Sequence, residues 1–303
     1  MIHVHVPGTR PLPGVVRTSL EVPAETPFGR ARAVPFRRPR SASPTLSVIF
    51  GTYERFALLK AAVESVRRAV GSFTYEICVC DGGSKDGSRE WLAQQPDVVL
   101  VAKRGLFGAV DAFNDAFVVS SGAYIANFND DALYVGEALA RGVEYLAEHA
   151  AVGQVIFSFA AAGEAYYTSS VFAGLDEKHY VSETVSLSES KYANFGITRR
   201  AAAGKVAEIV GGFWSPAYYT YAADCELSLW VRKLGWKIAL LPEERVVDVR
   251  VKDDLRVVNA DGMSSDVGVL VSRWSPAALL PGGLPPNVSA EELARFRAVA
   301  ERG

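Results

Sequence analysis

Thr45-Leu46-Ser47-Val48-Ile49-Phe50-Gly51-Thr52-Tyr53-Glu54-Arg55 is the stretch on which the reading of the fold turns. Leu46 to Phe50 is a short, largely apolar run that stops at a glycine and gives way to polar residues. Leu59, Ala62, Val63, Val66 and Val70 then recur at helical spacing. A buried strand, a polar loop and an amphipathic helix open a strand–helix–strand unit, and the same texture repeats downstream. Tyr75–Cys80 reads as a second strand, ending at Asp81-Gly82-Gly83-Ser84-Lys85-Asp86-Gly87-Ser88. A short helix through Trp91 and Leu92 follows, with Asp86 or Ser88 as its cap. Val98–Ala102 is a third strand, and Ala109, Ala112, Phe113, Ala116 and Phe117 mark a helix opened by Gly108. Tyr124–Phe128 is a fourth strand, ending at Asn129-Asp130-Asp131, before a helix over 135–149 and a strand at Val152–Phe159.

This alternation predicts an α/β fold with a Rossmann-like, mostly parallel central sheet flanked by helices. In such sheets ligands sit beyond the carboxyl ends of the strands. The loops Thr52-Tyr53-Glu54-Arg55, Asp81–Ser88 and Asn129-Asp130-Asp131 all fall on that edge, so they are expected to converge.

Further from the opening strand the texture is less regular. Residues 1–44 hold 8 of the 15 prolines and carry seven Arg against two Glu, so this arm is +5 and the remainder -7. Prolines at that density exclude long helices and central strands. The arm, with its cluster Arg37, Arg38 and Arg40, reads as an extended segment that wraps the domain or reaches a partner subunit. Residues 160–220, rich in Tyr, Ser, Ala and Gly, are expected to be loops. Asp224–Leu234 reads as a helix, Lys237–Leu241 as a strand, and Ser289 with Glu292 as a capping box that starts a terminal helix. The expected organisation is an arm at 1–44, two α/β halves at 45–135 and 136–256 and an extension at 257–303.

Composition closes off several functions. The net charge of -2 gives no electrostatic footprint for nucleic acid. No apolar run is long enough to span a bilayer. Three cysteines, Cys78, Cys80 and Cys225, make no disulfide framework, and with buried thiols a cytoplasmic setting, at most peripheral to a membrane, is expected. His3, His5, His149 and His179 form no zinc spacing.

The chemistry falls at the strand ends. Adjacent carboxylates such as Asp130 and Asp131 repel one another unless a cation or ligand offsets them, and hard divalent cations prefer oxygen ligands. Asp81, beside two glycines, can accept hydrogen bonds from a base or ribose, and Gly108 lets a diphosphate approach a helix N-terminus. Asp224 and Glu226 open a helix near Trp214, Tyr218, Tyr219 and Tyr221, where a carboxylate could serve as general base for a sugar hydroxyl.

These residues together resemble the family-two glycosyltransferases. L-S-V-I-F-G-T-Y-E-R at 46–55 resembles that family's S-V-I-x-P-T-Y-N-R, and D-G-G-S-K-D-G-S at 81–88 its D-G-S-T-D-G-T loop. Gly108–Asn114 with Ser121–Ile125 resembles G-I-Y-D-A-M-N … A-T-G-E-Y-I, and Asn129-Asp130-Asp131 falls where the family has its D-x-D-type metal motif. D-C-E-L-S-L at 224–229, with Gly235-Trp236-Lys237-Ile238, resembles E-D-x-D-L-x-L-R … G-Y-K-V. The resemblance covers about 45–241. It implies a GT-A fold, with 45–135 as the nucleotide-sugar-binding half and 136–256 as the acceptor half, and inverting transfer of a sugar, of hexosyltransferase type, from a nucleotide-diphosphate sugar donor to an acceptor hydroxyl, with Mn²⁺ or Mg²⁺. By position it implies that Thr52, Tyr53, Glu54, Asp81, Gly108, Asn114 and Asp130 contact the nucleotide sugar, that Asp131 ligates the metal and that Asp224 is the base.

The chain departs from the pattern at several points. Gly51 replaces the usual Pro, Glu54 the usual Asn, Ala223 the acid before the base, and Trp230 an Arg. No His follows His179, so either Asp248, Asp253 or Asp254 substitutes as a further metal ligand or the site lacks that ligand. Two other readings compete: a sugar-nucleotidyltransferase, for which Gly8-Thr9-Arg10 is a faint match, and a non-catalytic nucleotide-sugar-binding or assembly protein of GT-A fold. The retained Asp81, Asp130, Asp131 and Asp224 speak against a decayed site. The sequence does not select the acceptor (glycan, lipid-linked, protein or small molecule), and a homo-oligomer is open.

Overall fold

The computed structural model describes residues 43–106, 108–161, 164–170, 191–249, 253–275, 278, 283–285 and 287–302. All but the end of the expected arm lies outside them, as do His3, His5, Gly8-Thr9-Arg10 and His179. Eight strands form one sheet: β1 (Leu46–Thr52), β2 (Tyr75–Asp81), β3 (Val98–Ala102), β4 (Tyr124–Asn127), β5 (Ala132–Val135), β6 (Val152–Ala161), β7 (Gly196–Arg199) and β8 (Lys237–Asp248). Their order is β3-β2-β1-β4-β7-β6-β8-β5.

The first four strands behave as the opening sequence predicts. β1 lies between β2 and β4, parallel to both, and Leu46, Val48, Ile49 and Phe50 are fully buried because helices cover both faces. The crossovers are α1 (Phe56–Ala69), α2 (Ser88–Leu92) and α3 (Ala109–Val119). Register sets the site: Thr52 pairs with Asp81, so the polar ends of β1 and β2 are level. β4 ends sooner, with Asn127 opposite Gly196 of β7, which lets Asn129-Asp130-Asp131 turn back towards β1.

Six elements depart from expectation. The turn after Asp131 leads into edge strand β5, paired antiparallel with β8, and α4 begins only at Ala138 and runs to Glu148. Within 160–220, expected to be loops, β7 pairs antiparallel with β4 and β6, and α5 (Arg200–Val210) follows it. Its three consecutive alanines, Ala201 to Ala203, carry little hydrophobic period, which hid a good helix former. β8 runs to Asp248 rather than Leu241, with a register shift against β6 between Phe157 and Ser158. α2 has Gly87 at its N-cap in a left-handed conformation, so neither Asp86 nor Ser88 caps it; Asp86 instead accepts from the amides of Ser88 and Phe56.

The C-terminal region closes over α6 (Ala223–Lys233). Helix α7 (Asp254–Arg273) supplies Arg273, which bonds Glu226 at 2.9 Å, and Trp274 follows it, its ring edge-on to Trp230 at 5.0 Å. Trp230 is fully buried and also meets Phe296 of α8 (Ala290–Glu301), so the residue that replaces the family's Arg is here a packing anchor. Ser289 and Glu292 form the expected capping box.

Candidate active site

A cleft of about 430 Å³ opens along the carboxyl edge of the sheet. Thr52, Tyr53, Gly108, Asp130, Asp131 and Asp224 all line it. They come from β1, the turn after β4, the N-terminus of α3 and the first turn of α6, so the loops that converge by sequence converge in space.

At its centre is a carboxylate cluster around Arg55. Arg55 Nη1 donates to Asp130 Oδ1 at 2.8 Å and to Asp131 Oδ2 at 3.2 Å. The other edge of the same guanidinium, Nε and Nη2, grips both oxygens of Asp253 at 2.6 and 2.9 Å. Thr52 Oγ1 donates to Asp130 Oδ2 at 2.8 Å. Burial works against the Arg55 charge, but the bond to Asp253 and the fields of Asp130 and Asp131 outweigh it and its pKa is raised. Asp130 is pushed up to about 6, chiefly by burial, with Arg55 opposing the rise and Asp131 adding to it.

Other expected contacts are placed differently. Asp81 is fully buried below the cleft wall, where it accepts from the amides of Gly83 and Ser84 and from Arg89 Nε at 2.8 Å. Glu54, at φ 52, braces the neighbouring loop: its amide donates to Ser84 Oγ, and its carboxylate accepts from the Lys85 amide. Both ends of the buried Asn114 amide bond the backbone of Trp214, Nδ2 to its carbonyl and Oδ1 from its N–H, each at 2.9 Å. Asn114 thus fixes the wall carrying Trp214, which stacks on Phe113 at 3.9 Å. Gly108 is the N-cap of α3 at φ 91, and a Cβ there would stand 2.6 Å from the Tyr219 carbonyl oxygen. Gly108→Ala is expected to cost about 1–3 kcal/mol in urea unfolding, from both the left-handed backbone and the clash.

Asp224 stands in the first turn of α6. Its carboxyl is pushed up to about 6 by burial, which the bond from the Cys225 amide offsets only in part. Glu226 faces the other way, 1% exposed, accepting from Arg273 Nε and from Trp274 Nε1 at 2.8 Å. The loop before α6 is held by Asp266 of α7, whose carboxylate accepts from the amides of Tyr219, Thr220 and Tyr221 at 3.0, 2.7 and 2.8 Å. That clasp supports Ala222, which sits at φ 63 without a glycine's freedom.

The donor set around Arg55 is chemically that of a hard divalent cation: three carboxylates, Asp130, Asp131 and Asp253, share one guanidinium, leaving the group net negative. Among the described residues no three acidic, His or Cys groups converge on a common point, because the guanidinium stands between them. Asp248 also lines the cleft, whereas the side chain of Asp254 lies outside the described residues. The oxygen donors are of the type a hard cation takes, and Arg55 occupies the place between them. Sequence reasoning passed over Arg55 as part of a motif, and it passed over Lys103, Phe159, Tyr167 and Tyr192, which also line the cleft. Only the position of Arg55 three residues past Thr52 could have signalled its reach to the acid pair.

The sequence profile described as Glycosyl transferase family 2 matches residues 47–210. No curated protein matches the chain. Among solved structures, a mannosyltransferase from Pyrobaculum calidifontis in complex with GDP-Man and Mn²⁺ superposes with a TM-score of 0.57 at 18% identity, covering 88% of this chain and 77% of that one. TarS 1–349 of S. aureus in complex with UDP-GlcNAc gives 0.56 at 17% identity, covering 85% and 71%. A second crystal structure of the same TarS segment gives 0.52 at 18%, covering 67% of this chain and 59% of that one. At such identities the structural likeness establishes the fold, a GT-A sheet with its flanking helices. The profile spans more than half of the 303 residues, and by it the chain belongs to glycosyl transferase family 2.

Proposed function

We propose that the chain transfers a hexosyl group from a nucleoside-diphosphate sugar to an acceptor hydroxyl, with inversion at the anomeric carbon and with the help of Mn²⁺ or Mg²⁺. The observation that carries this reading is that one cleft holds the acid pair Asp130–Asp131 and, across it, a partly shielded carboxylate, Asp224.

In this reading Thr52, Tyr53 and the loop braced by Asp81 and Glu54 receive the nucleotide, and Gly108 admits the diphosphate to the first amides of α3. Asp131, with Asp130 and Asp253, would hold the cation, which when bound neutralises charge on the departing diphosphate. Asp224 takes the proton from the acceptor hydroxyl as its oxygen attacks from the face opposite the leaving group. Its raised pKa suits a base near neutrality. The aromatic wall of Trp214, Tyr192 and Tyr167 offers apolar surface for a sugar ring. Asn114 serves that wall by fixing Trp214. A cytoplasmic setting belongs to the same proposal, supported by three free, buried thiols; among the described residues no helix is long and apolar enough to cross a membrane.

The test is a panel of UDP- and GDP-sugars, each followed by thermal shift with Mn²⁺ and then by ¹H NMR of the product anomeric proton. Saturable binding of one donor and a product of inverted configuration are expected. Retention of configuration, or no donor bound at millimolar concentration, would reject the reading.

A further inference from the structure

We propose that Arg55 is a built-in counter-cation that blocks divalent-cation binding to the free protein and leaves the carboxylates only when a nucleoside diphosphate arrives. The inference rests on the nucleotide-sugar reading above and adds an order of binding to it.

Arg55 is tied at both edges, and its side chain is only 8% exposed. Nη1 serves Asp130 and Asp131 from the turn after β4, while Nε and Nη2 serve Asp253 at the start of α7. No hydrated cation can reach Asp131 and Asp253 together while this fork is in place. A guanidinium is always charged, so the block does not lift with pH. It lifts if a better partner for the fork appears, and a diphosphate is one, since it is dianionic or more and matches the planar donor geometry. Arg55 stands in the same cleft as Gly108 and Tyr53, so diphosphate oxygens and the fork meet there. Once Arg55 turns to the diphosphate, Asp130, Asp131 and Asp253 lose the guanidinium they share, and the negative charge left there favours a cation in its place. Nucleotide binding therefore creates the cation site, and the cation in turn holds the nucleotide, a reciprocal coupling.

The clasp also joins distant parts of the chain. Arg55 lies at the start of α1, and Asp253 begins the helix whose Asp266 holds the loop before Asp224. Release of the fork would thus be felt at the acceptor wall through α7.

Mn²⁺ uptake by the full chain, read from the EPR signal of free aqueous Mn²⁺, tests this without turnover. Wild-type protein alone is expected to take up little Mn²⁺, with affinity rising about tenfold or more when UDP or GDP is added, in line with a coupling of 1–3 kcal/mol. Arg55→Met, confirmed folded by its melting curve, should bind Mn²⁺ without nucleotide at least about tenfold more tightly than wild type, while its nucleotide affinity in EDTA falls. Equal Mn²⁺ uptake by wild type with and without a nucleotide that binds would overturn the proposal, as would a folded Arg55→Met that gains no Mn²⁺ affinity. Should Arg55→Met fail to fold, the wild-type comparison decides alone. Should neither nucleotide bind, the donor reading falls; Mn²⁺ gain in Arg55→Met would then still uphold Arg55 as the blocking cation, and no gain would reject it.

Discussion

If Asp224 is the base proposed above, Asp224→Asn is expected to lower transfer by about 10²–10⁴ while donor binding persists, because a general base contributes on that scale and the proposed donor contacts come from other elements of the cleft. Glu226→Gln should fail differently. Glu226 points away from the cleft into Arg273 and Trp274, so its loss should appear as a lower melting temperature with turnover per folded molecule preserved. The pH profile carries the same assignment. Asp224 acts as a base only when ionised, and burial sets its pKa at about 6, so the rate should fall tenfold per unit as pH drops below that value. The sign for stability is opposite. A carboxyl raised from 3.8 to about 6 in the fold favours its protonated form, so its contribution is full below about pH 4 and lost as pH rises through 6. Asp224→Asn should therefore stabilise the protein at pH 7, by about 1–2 kcal/mol, since the carboxylate is only partly shielded from solvent. Near-normal turnover in Asp224→Asn would remove the assignment.

Lys103→Met is expected to be among the most destabilising single changes near the cleft. Lys103 Nζ lies 2.7 Å from Asp115 Oδ2, with side-chain exposures of 2% and 7%. Burial pushes the Asp115 pKa up even with Lys103 beside it, so without the ammonium the carboxylate must ionise unpaired or take up a proton. Breaking one side of such a pair costs about 3–5 kcal/mol, whereas replacing both sides with apolar groups is often neutral. Urea unfolding should show that loss for Lys103→Met and recovery of most of it in Lys103→Met/Asp115→Leu. A single variant within about 1 kcal/mol of wild type would show that the pair contributes nothing special.

The donor half was legible in the sequence because its signals are local. A run such as Leu46–Phe50 ending in Gly51, followed by a helical stripe, can form only one kind of unit, and repetition fixes the parallel order. The rest depends on contacts that sequence spacing does not encode. β7 is four residues long and is defined by its antiparallel partners β4 and β6, not by its own pattern. α7 shows a weak hydrophobic stripe, because it is held to the body by polar clasps, Asp266 and Arg273 among them. For the candidate site, the acid pair could be named from its place at a strand end, whereas the helix start offered both Asp224 and Glu226 and only the family resemblance selected Asp224. The partners Arg55 and Asp253 are 198 positions apart, a distance no local reading spans.

The three-pronged grip of Asp266 on residues 219–221 has a consequence for the order in which the molecule is made. A growing chain emerges from its N-terminal side, and units pack as they become available. The sheet from β1 to β4, with the acid pair at its edge, can settle early. The turn that carries Ala222 at φ 63 and aims Asp224 is bonded earlier only in part, through the Val110 amide on the Tyr219 carbonyl, and gains its three carboxylate bonds when residue 266 has emerged. Chains halted before that point are expected to be soluble nucleotide binders with a protease-sensitive segment around 219–221 and no transfer activity. On the proposed function, maturation of the acceptor side would then be a late, separable event, and a lesion in α7 is expected to leave nucleotide binding while abolishing transfer.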